Sequence, residues 1–334
     1  MRYRIVAILA AWLCTGLHTG AAAQELPKTD FRVTLLGTGG PPPDPRRFGP
    51  STLVEAGSQK LVFDAGRGVP IRLWQIRVPL GTIDAFLLTH LHSDHVVGIP
   101  DVWLSGWLGG PFAQRKTPFH IIGPEGTQDL MSNLERAYAA DIRIRIADEN
   151  YPLEGIRITS EEFSKEGVVY EKDGVRVTAF EVDHGEHIKP AYGYRIDYDG
   201  RVVVISGDTR FSENVVRHGT GADLIIHEVA AVRPELLADV QVRRVMAHHT
   251  SPQEVGTVFS RARPKLGVYT HLVLLGRGEV RPLTPKELIA QTRETYDGPL
   301  EVGEDLMTFD IGKDKITVRR MPHPTATNSH KEQW

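Results

Sequence analysis

Thr89-His90-Leu91-His92-Ser93-Asp94-His95 sets three histidines and an aspartate within six residues, directly behind the apolar run 85–88. Neutral imidazoles and carboxylates are the ligands that zinc takes when no thiolate is present. Side chains two apart in an extended segment project to the same side, so His90 and His92 can address one metal. A turn into helix at Ser93 would let the adjacent Asp94 and His95 face a second one. A surface histidine-rich loop, or core histidines satisfied by hydrogen bonds, is the ordinary explanation of a lone histidine. It does not explain four ligand-type residues at this spacing behind an apolar run, so the segment is read as a metal-binding motif.

The same arrangement recurs along the chain. Asp183-His184 follows the apolar run 175–182, Gly207-Asp208-Thr209 follows 202–206, His227-Glu228 follows 223–226, and His271 follows 266–270. Open α/β sheets place their sites just past strand ends, so four such coincidences point to one convergent cluster. Further strands are read at 32–36, 60–63, 85–89, 119–122, 192–196 and 315–319, from their length and their flanking Gly, Pro or Asp. Leu130, Leu134 and Ala137 share a helical face in 125–139. Ser251-Pro252-Gln253-Glu254 is a capping box that opens a helix running to Arg263, and Thr284-Pro285-Lys286-Glu287 repeats the device before 288–295. Mixed strands and helices of this kind indicate a layered α/β domain. No linker divides it, so residues 24–320 are read as one domain, followed by a polar tail over 321–334. Trp103 and Trp107, four apart, are either core packing or a hydrophobic substrate wall. Tyr192 and Tyr194 alternate on a strand as packing residues. Gly37-Thr38-Gly39-Gly40 lacks the Lys-Ser/Thr of a phosphate-binding loop and reads as a sharp turn near the metals.

Of the 334 residues, 41% are hydrophobic and 24% charged, ordinary globular values that exclude disorder, collagen and a multi-span membrane protein. Thirty-nine basic against 42 acidic residues give a net charge of −3, without the basic excess of a protein that grips nucleic acid over its whole surface. The single cysteine, Cys14, excludes an intrachain disulfide and a Cys-based zinc ribbon. Arg2 and Arg4, an apolar stretch over 5–13, and Ala21-Ala22-Ala23 before Gln24 read as a secretory signal peptide over residues 1–23. Its apolar core falls well short of the ~20 residues that span a bilayer. Cleavage removes two arginines and no acid, moving the net charge from −3 to −5. The expected protein is periplasmic or secreted, with no stable membrane insertion after cleavage.

His90-Leu91-His92-Ser93-Asp94-His95, followed by His184, Asp208 and His271, resembles the metallo-β-lactamase superfamily, whose fold is an α/β, four-layer αβ/βα sandwich. Leu35-Leu36-Gly37-Thr38-Gly39-Gly40-Pro41, Phe63-Asp64-Ala65-Gly66, His227-Glu228 and His249-Thr250-Ser251 resemble its ribonuclease Z and arylsulfatase-like branch. The likeness runs over residues 31–271. It implies one metal on His90, His92 and His184, a second on Asp94, His95 and His271, and Asp208 bridging the two. Two divalent ions are implied, zinc first, with manganese or iron accepted by the same N/O ligands. Such a pair lowers the pKa of a bridging water and takes up charge developing on the attacked ester. Asp94 would also orient or deprotonate that water. The resemblance nominates His249 as proton donor to the leaving group, with Glu228 orienting it and His227 lining the same pocket. His248 stands beside His249, so an alignment shift of one residue decides that assignment.

Ribonuclease Z proteins typically carry an arm between the residues matching His184 and Asp208. Here those residues stand 24 positions apart (208 minus 184), and the strands at 192–196 and 202–206 with a turn at Asp199-Gly200 use up the interval. Together with the export signal and the negative charge, this favours a small-molecule ester, an aryl or alkyl sulfate or a phosphodiester, and no nucleic acid. A nuclease or cyclic-nucleotide phosphodiesterase of the ribonuclease Z type is the alternative. A lactonase or β-lactamase-type hydrolase, or a non-catalytic metal-binding protein, stands behind it. A homodimer is compatible with each.

Overall fold

The computed structural model describes residues 29–321. The signal peptide read over 1–23 and all of the polar tail beyond Met321 lie outside the described residues. Two mixed sheets carry the fold. The first runs from edge to edge through Ile316–Arg319, Thr308–Ile311, Phe31–Gly37, Ser51–Ala56, Gln59–Phe63, Ala85–Leu87, Phe119–Pro124 and Ile158–Phe163. The second runs through Leu300–Val302, Leu266–Leu275, Leu224–Val232, Arg201–Ile205, Tyr192–Tyr198, Val175–Glu181 and Gly167–Lys172.

Three apolar layers hold these sheets and their helices together. Between the sheets, Phe31, Leu35, Phe63 and Leu87 from the first meet Val177, Tyr194, Ile226 and Val268 from the second. Outside the first sheet, Leu36, Val62 and Phe86 pack on Leu73 of helix Val69–Gln75, Trp103 and Trp107 of helix Ile99–Trp107, and Met131 of helix Thr127–Ala137. Outside the second, Ile225 and Tyr269 pack on Val255 and Phe259 of helix Pro252–Ala262 and on Leu288 of helix Pro285–Thr292. The order is helix, sheet, sheet, helix, the expected four-layer sandwich.

Local sequence explains the elements. Leu224–Val232 lies between two parallel neighbours and is covered on both faces, which is why it reads as a nearly unbroken apolar run. Both capping boxes form: Ser251 and Thr284 accept the N–H groups of Glu254 and Glu287, whose carboxylates reach back to the cap N–H groups. The second of these helices, Pro285–Thr292, begins and ends three residues earlier than read. Of residues 125–139, read as one helix, Thr127–Ala137 form it; Tyr138 breaks it from a second helix, Ala139–Glu149. The indole N–H groups of Trp103 and Trp107 donate to Ile156 O (2.9 Å) and Pro152 O (2.7 Å), so both rings are core and neither is a substrate wall. Among the described residues no helix is long and apolar enough to cross a membrane.

Candidate metal centre

The centre lies where the two sheets meet at one end. The short strand Ala85–Leu87 delivers an extended segment through His92, after which Ser93–Val96 turns into helix. His90 and His92 therefore stand on the extended part, and Asp94 and His95 on the first turn. From the second sheet, the loop after Val175–Glu181 brings His184 and the turn after Arg201–Ile205 brings Asp208. His271 was read as following its strand, but it lies inside Leu266–Leu275. The pairing with Leu224–Val232 slips between Glu228 and Val229, so His271 is the unpaired residue of a bulge, at φ 42°. A bulge re-aims one side chain out of the strand's alternation, and here it aims His271 at the cluster. Gly40 passes over the same ring: a Cβ there would lie 3.6 Å from His271 Cε1.

Two donor sets result. His90 Nε2 and His184 Nε2 lie 2.9 Å and 3.3 Å from His92 Nδ1. His271 Nε2 lies 3.2 Å from Asp94 Oδ2, and His95 Nε2 lies 3.7 Å from it. Asp208 Oδ2 stands between the sets, 3.2 Å from His271, 3.3 Å from His95, 3.7 Å from His184 and 4.0 Å from His90. All are buried except His92, which is half-buried. Three of the far nitrogens are engaged elsewhere, while His271 Nδ1 is buried without a hydrogen-bond partner among the described residues. His95 Nδ1 meets Asp64 Oδ2 at 2.8 Å, His184 Nδ1 meets the His248 carbonyl at 2.9 Å, and His90 Nδ1 meets the Thr89 hydroxyl at 2.9 Å. Imidazoles fixed through one nitrogen present the other to a metal, and this is how protein ligands are oriented.

Charge in the cluster follows from burial and proximity. Burial pulls His90 and His184 down, His184 to about 4, leaving the neutral imidazoles that ligation requires. Burial pushes the carboxyls of Asp94 and Asp208 up, but the histidines around them outweigh it and hold both below the ordinary range. His95 Nε2 is buried without a hydrogen-bond partner. Converging nitrogens, ionised carboxylates and an orphaned ring nitrogen are what a divalent cation satisfies, and the residues fit it.

The other nominated residues separate. Glu228, fully buried, accepts from Thr250 N (2.9 Å) and meets His249 Nδ1 at 3.2 Å. Burial pulls the His249 imidazole down, yet the charge and hydrogen bond of Glu228 outweigh this and raise it to about 9. Its ring lies 5.0 Å from that of His184 and 5.7 Å from that of His271. His249, not His248, thus stands beside Glu228, while His248 supplies the carbonyl under His184. His227 was expected to line the pocket. It points to the other face of its strand, where its Nδ1 bonds the Glu228 carbonyl (2.7 Å) and its ring lies edge-on to Phe259. Alternation along Leu224–Val232 sends neighbours to opposite faces, so Glu228 and His227 cannot share a pocket. Asp64 received no role from the sequence. It sits at φ 59°, and its carboxylate takes Thr89 N–H (2.8 Å), the Thr89 hydroxyl (2.9 Å) and the His95 ring. Its signal was the segment Phe63-Asp64-Ala65-Gly66 just past a strand.

Residues 59–272 match the family model described as the beta-lactamase superfamily domain. The chain belongs to the beta-lactamase superfamily. Its relatives include a ribonuclease Z of Mycobacterium bovis BCG, 35% identical over 285 residues, which cover 84% of this chain and 98% of that protein. A ribonuclease Z of Mycobacterium avium is 36% identical over 288 residues, with the same coverage of 84% and 98%. The chain is a metal-dependent hydrolase of the ribonuclease Z branch, acting on ester bonds. Two solved structures share the fold. The metallo-beta-lactamase fold protein YhfI of Bacillus subtilis matches with a TM-score of 0.65 and 18% identity, over 83% of this chain and 98% of its own. The short form of human tRNase Z matches with 0.62 and 22%, over 84% and 99%.

These relatives correct three expectations. Proteins matched along 98% of their length are named for cutting RNA, which overturns the exported sulfatase or other small-ester hydrolase as the main reading. The exclusion of nucleic acid falls with it. So does the periplasmic or secreted placement, which rested on residues 1–23. The hairpin Tyr192–Tyr198 and Arg201–Ile205 does fill the interval between His184 and Asp208, but one interval carries less weight than identity along the whole domain.

Proposed function

We propose that this chain hydrolyses phosphodiester bonds in RNA, as its ribonuclease Z relatives are named for doing. The observation that carries the reading is 35% identity along nearly their whole length, with a complete cluster of His and Asp donors at the sheet ends. His90, His92 and His184 would hold one ion, Asp94, His95 and His271 a second, with Asp208 between them. Zinc suits these N/O donors, and manganese or iron would be accepted by them as well. When bound, the ions supply Lewis acidity at the phosphodiester and make water more acidic. The chain's own groups do the rest. Asp94, ionised and hydrogen-bonded to His271, is placed to accept the proton of the attacking water. His249, held protonated by Glu228, donates a proton to the oxygen that leaves phosphorus. Glu228, fixed by the Thr250 N–H, keeps the His249 ring turned with Nδ1 away from the centre. The test is cleavage of a precursor tRNA with a 3′ trailer by the metal-loaded protein, with 4-nitrophenyl sulfate as control. Site-defined cleavage of the RNA is expected. Turnover of the sulfate with the RNA left intact would overturn the reading.

A further inference from the structure

A cavity of about 720 Å³ lies beside the segment that leads to His184, walled by Glu181 to Asp183, Lys189 to Tyr192 and the start of helix Glu213–Gly219. That volume lies within the range of roughly 300–1,000 Å³ typical of small-ligand pockets. Its wall is bonded to the metal-bearing segments at two points. Tyr192 N–H donates to the carbonyl of Thr89, the residue before His90, and Arg210 N–H donates to the carbonyl of Asp183, the residue before His184. A group lodged in the cavity is therefore tethered to the metal centre by adjoining backbone.

The lining defines what can enter. Tyr192 is 2% exposed, its ring is edge-on to Phe163, and its hydroxyl has no hydrogen-bond partner among the described residues. Burial and the charges of Glu181 and Glu166 push the phenol up, so it is a neutral donor and acceptor. Of the carboxylates at the cavity, Glu213 is paired with Arg261 (2.7 Å), and Asp183 is engaged by Gly185 N–H and Arg210. Glu125 and Glu181 line the same cavity with no ion pair or side-chain hydrogen bond among the described residues. Lys189 lines the cavity as well, so among the described residues the free charged groups there are two carboxylates and one ammonium, which leaves open acceptors and an excess of negative charge. Phe211, half-buried, adds an aromatic face of the kind on which bases stack.

We propose that this cavity is a nucleobase subsite that takes the base next to the cleaved phosphodiester and prefers bases with an exocyclic amino group. The proposal rests on the ribonuclease reading above. The free carboxylates accept from the amino group, the Tyr192 hydroxyl meets a ring nitrogen or carbonyl, and the phosphate stays outside, at the metals. Uracil, which has no amino group, can answer a carboxylate only through its single N3–H.

The test uses the zinc-loaded full chain in two measurements. The first is saturation-transfer NMR with adenosine, cytidine and uridine. The second is kcat/KM on RNA substrates that differ only in the bases flanking the cleaved bond. Adenosine and cytidine should show stronger transfer than uridine. Losing a hydrogen bond to a charged group corresponds to about tenfold in affinity or more. Glu181→Gln should reduce the base preference, Tyr192→Phe should weaken transfer from all three nucleosides alike, and an amino-bearing flanking base should raise kcat/KM by a similar factor in the unaltered chain. Equal transfer from all three nucleosides, transfer that both variants leave unchanged, or cleavage indifferent to the flanking bases would overturn the subsite. Absence of RNA cleavage with nucleoside transfer intact and variant-sensitive would instead overturn the ribonuclease reading and support the cavity as a base site.

Discussion

Asp64→Asn changes one atom of a buried contact behind the ring of His95 and leaves every nominated metal ligand in place. The Asp64 carboxylate accepts Thr89 N–H at 2.8 Å and the His95 ring at 2.8 Å. An amide keeps an oxygen for Thr89 but turns an N–H toward His95 Nδ1. His95 must then accept through Nδ1 and carry its proton on Nε2, the atom 3.3 Å from Asp208 and 3.7 Å from Asp94. A protonated Nε2 cannot ligate, so occupying the second subsite requires breaking the new bond or reversing the tautomer. A buried hydrogen bond to a charged group is worth about 1.5–3 kcal/mol. That corresponds to roughly 10–100-fold in affinity, the range also seen when groups behind metal ligands are altered. Asparagine is among the residues that adopt positive φ most readily, so the backbone at φ 59° does not confound the test. Competition with a graded series of chelators should show one ion weakened by that factor, while the ion on His90, His92 and His184 keeps its affinity. Equal and unchanged affinities for both ions, in a variant folded by circular dichroism, would refute the tautomer argument.

Asp208→Ala removes the oxygen that stands between the two donor sets, and elemental analysis should find at least one ion lost; full retention would sink the bridging assignment. His249→Ala should slow RNA cleavage by roughly 10²–10⁴-fold, the usual contribution of a positioned acid. Bis(4-nitrophenyl) phosphate, whose leaving group needs no proton, should be slowed far less, and equal slowing of the two would argue against proton donation. Glu287 is held down to about 2 by the Thr284 backbone N–H, with Arg233 adding to it. A carboxylate depressed on folding stabilises above its unfolded value, and that contribution disappears as pH falls from 4.5 toward 2. Glu287→Gln should therefore flatten the decline of melting temperature across that window, and an unchanged slope would count against the capping box as its source.

The central architecture was legible because its residues obey short-range rules. Val175–Glu181 announces itself by alternating apolar residues and the helices at Ser251 and Thr284 by their caps, whereas Leu224–Val232 is legible only as far as Ile226, because His227 and Glu228, read as following the strand, lie inside it. Ile158–Phe163 escaped because it is an edge strand, paired only with Phe119–Pro124 and largely exposed, so its ITSEEF sequence carries no apolar stripe. The break at Tyr138 is equally silent, since the pattern of Leu130 and Leu134 continues into the next helix through Ile142 and Ile146. In the site, the ligand types stood out, but their directions did not. That His271 points into the cluster depends on a bulge set by pairing across two strands, and that His227 points away depends on which face of Leu224–Val232 the helix Pro252–Ala262 covers. Neither relation exists between neighbours in sequence.

Substrate class escaped for a different physical reason. A chain total of −3 is a sum over 334 residues, whereas interactions between exposed charges are screened over about 8–10 Å in ordinary salt. A phosphodiester approaching the centre is answered by what lies within that radius. There the chain itself offers Asp64, Asp94, Asp208 and Glu228, all buried, with the raised imidazoles of His95 and His249 answering part of that charge. Cations bound among those carboxylates would turn the balance toward an anionic ester, and the converging imidazoles are the means of holding them. The local excess of acid therefore argues for, not against, an anionic substrate. At Glu125 and Glu181 no imidazoles converge and Lys189 offsets one of the two charges, which suits a neutral ligand.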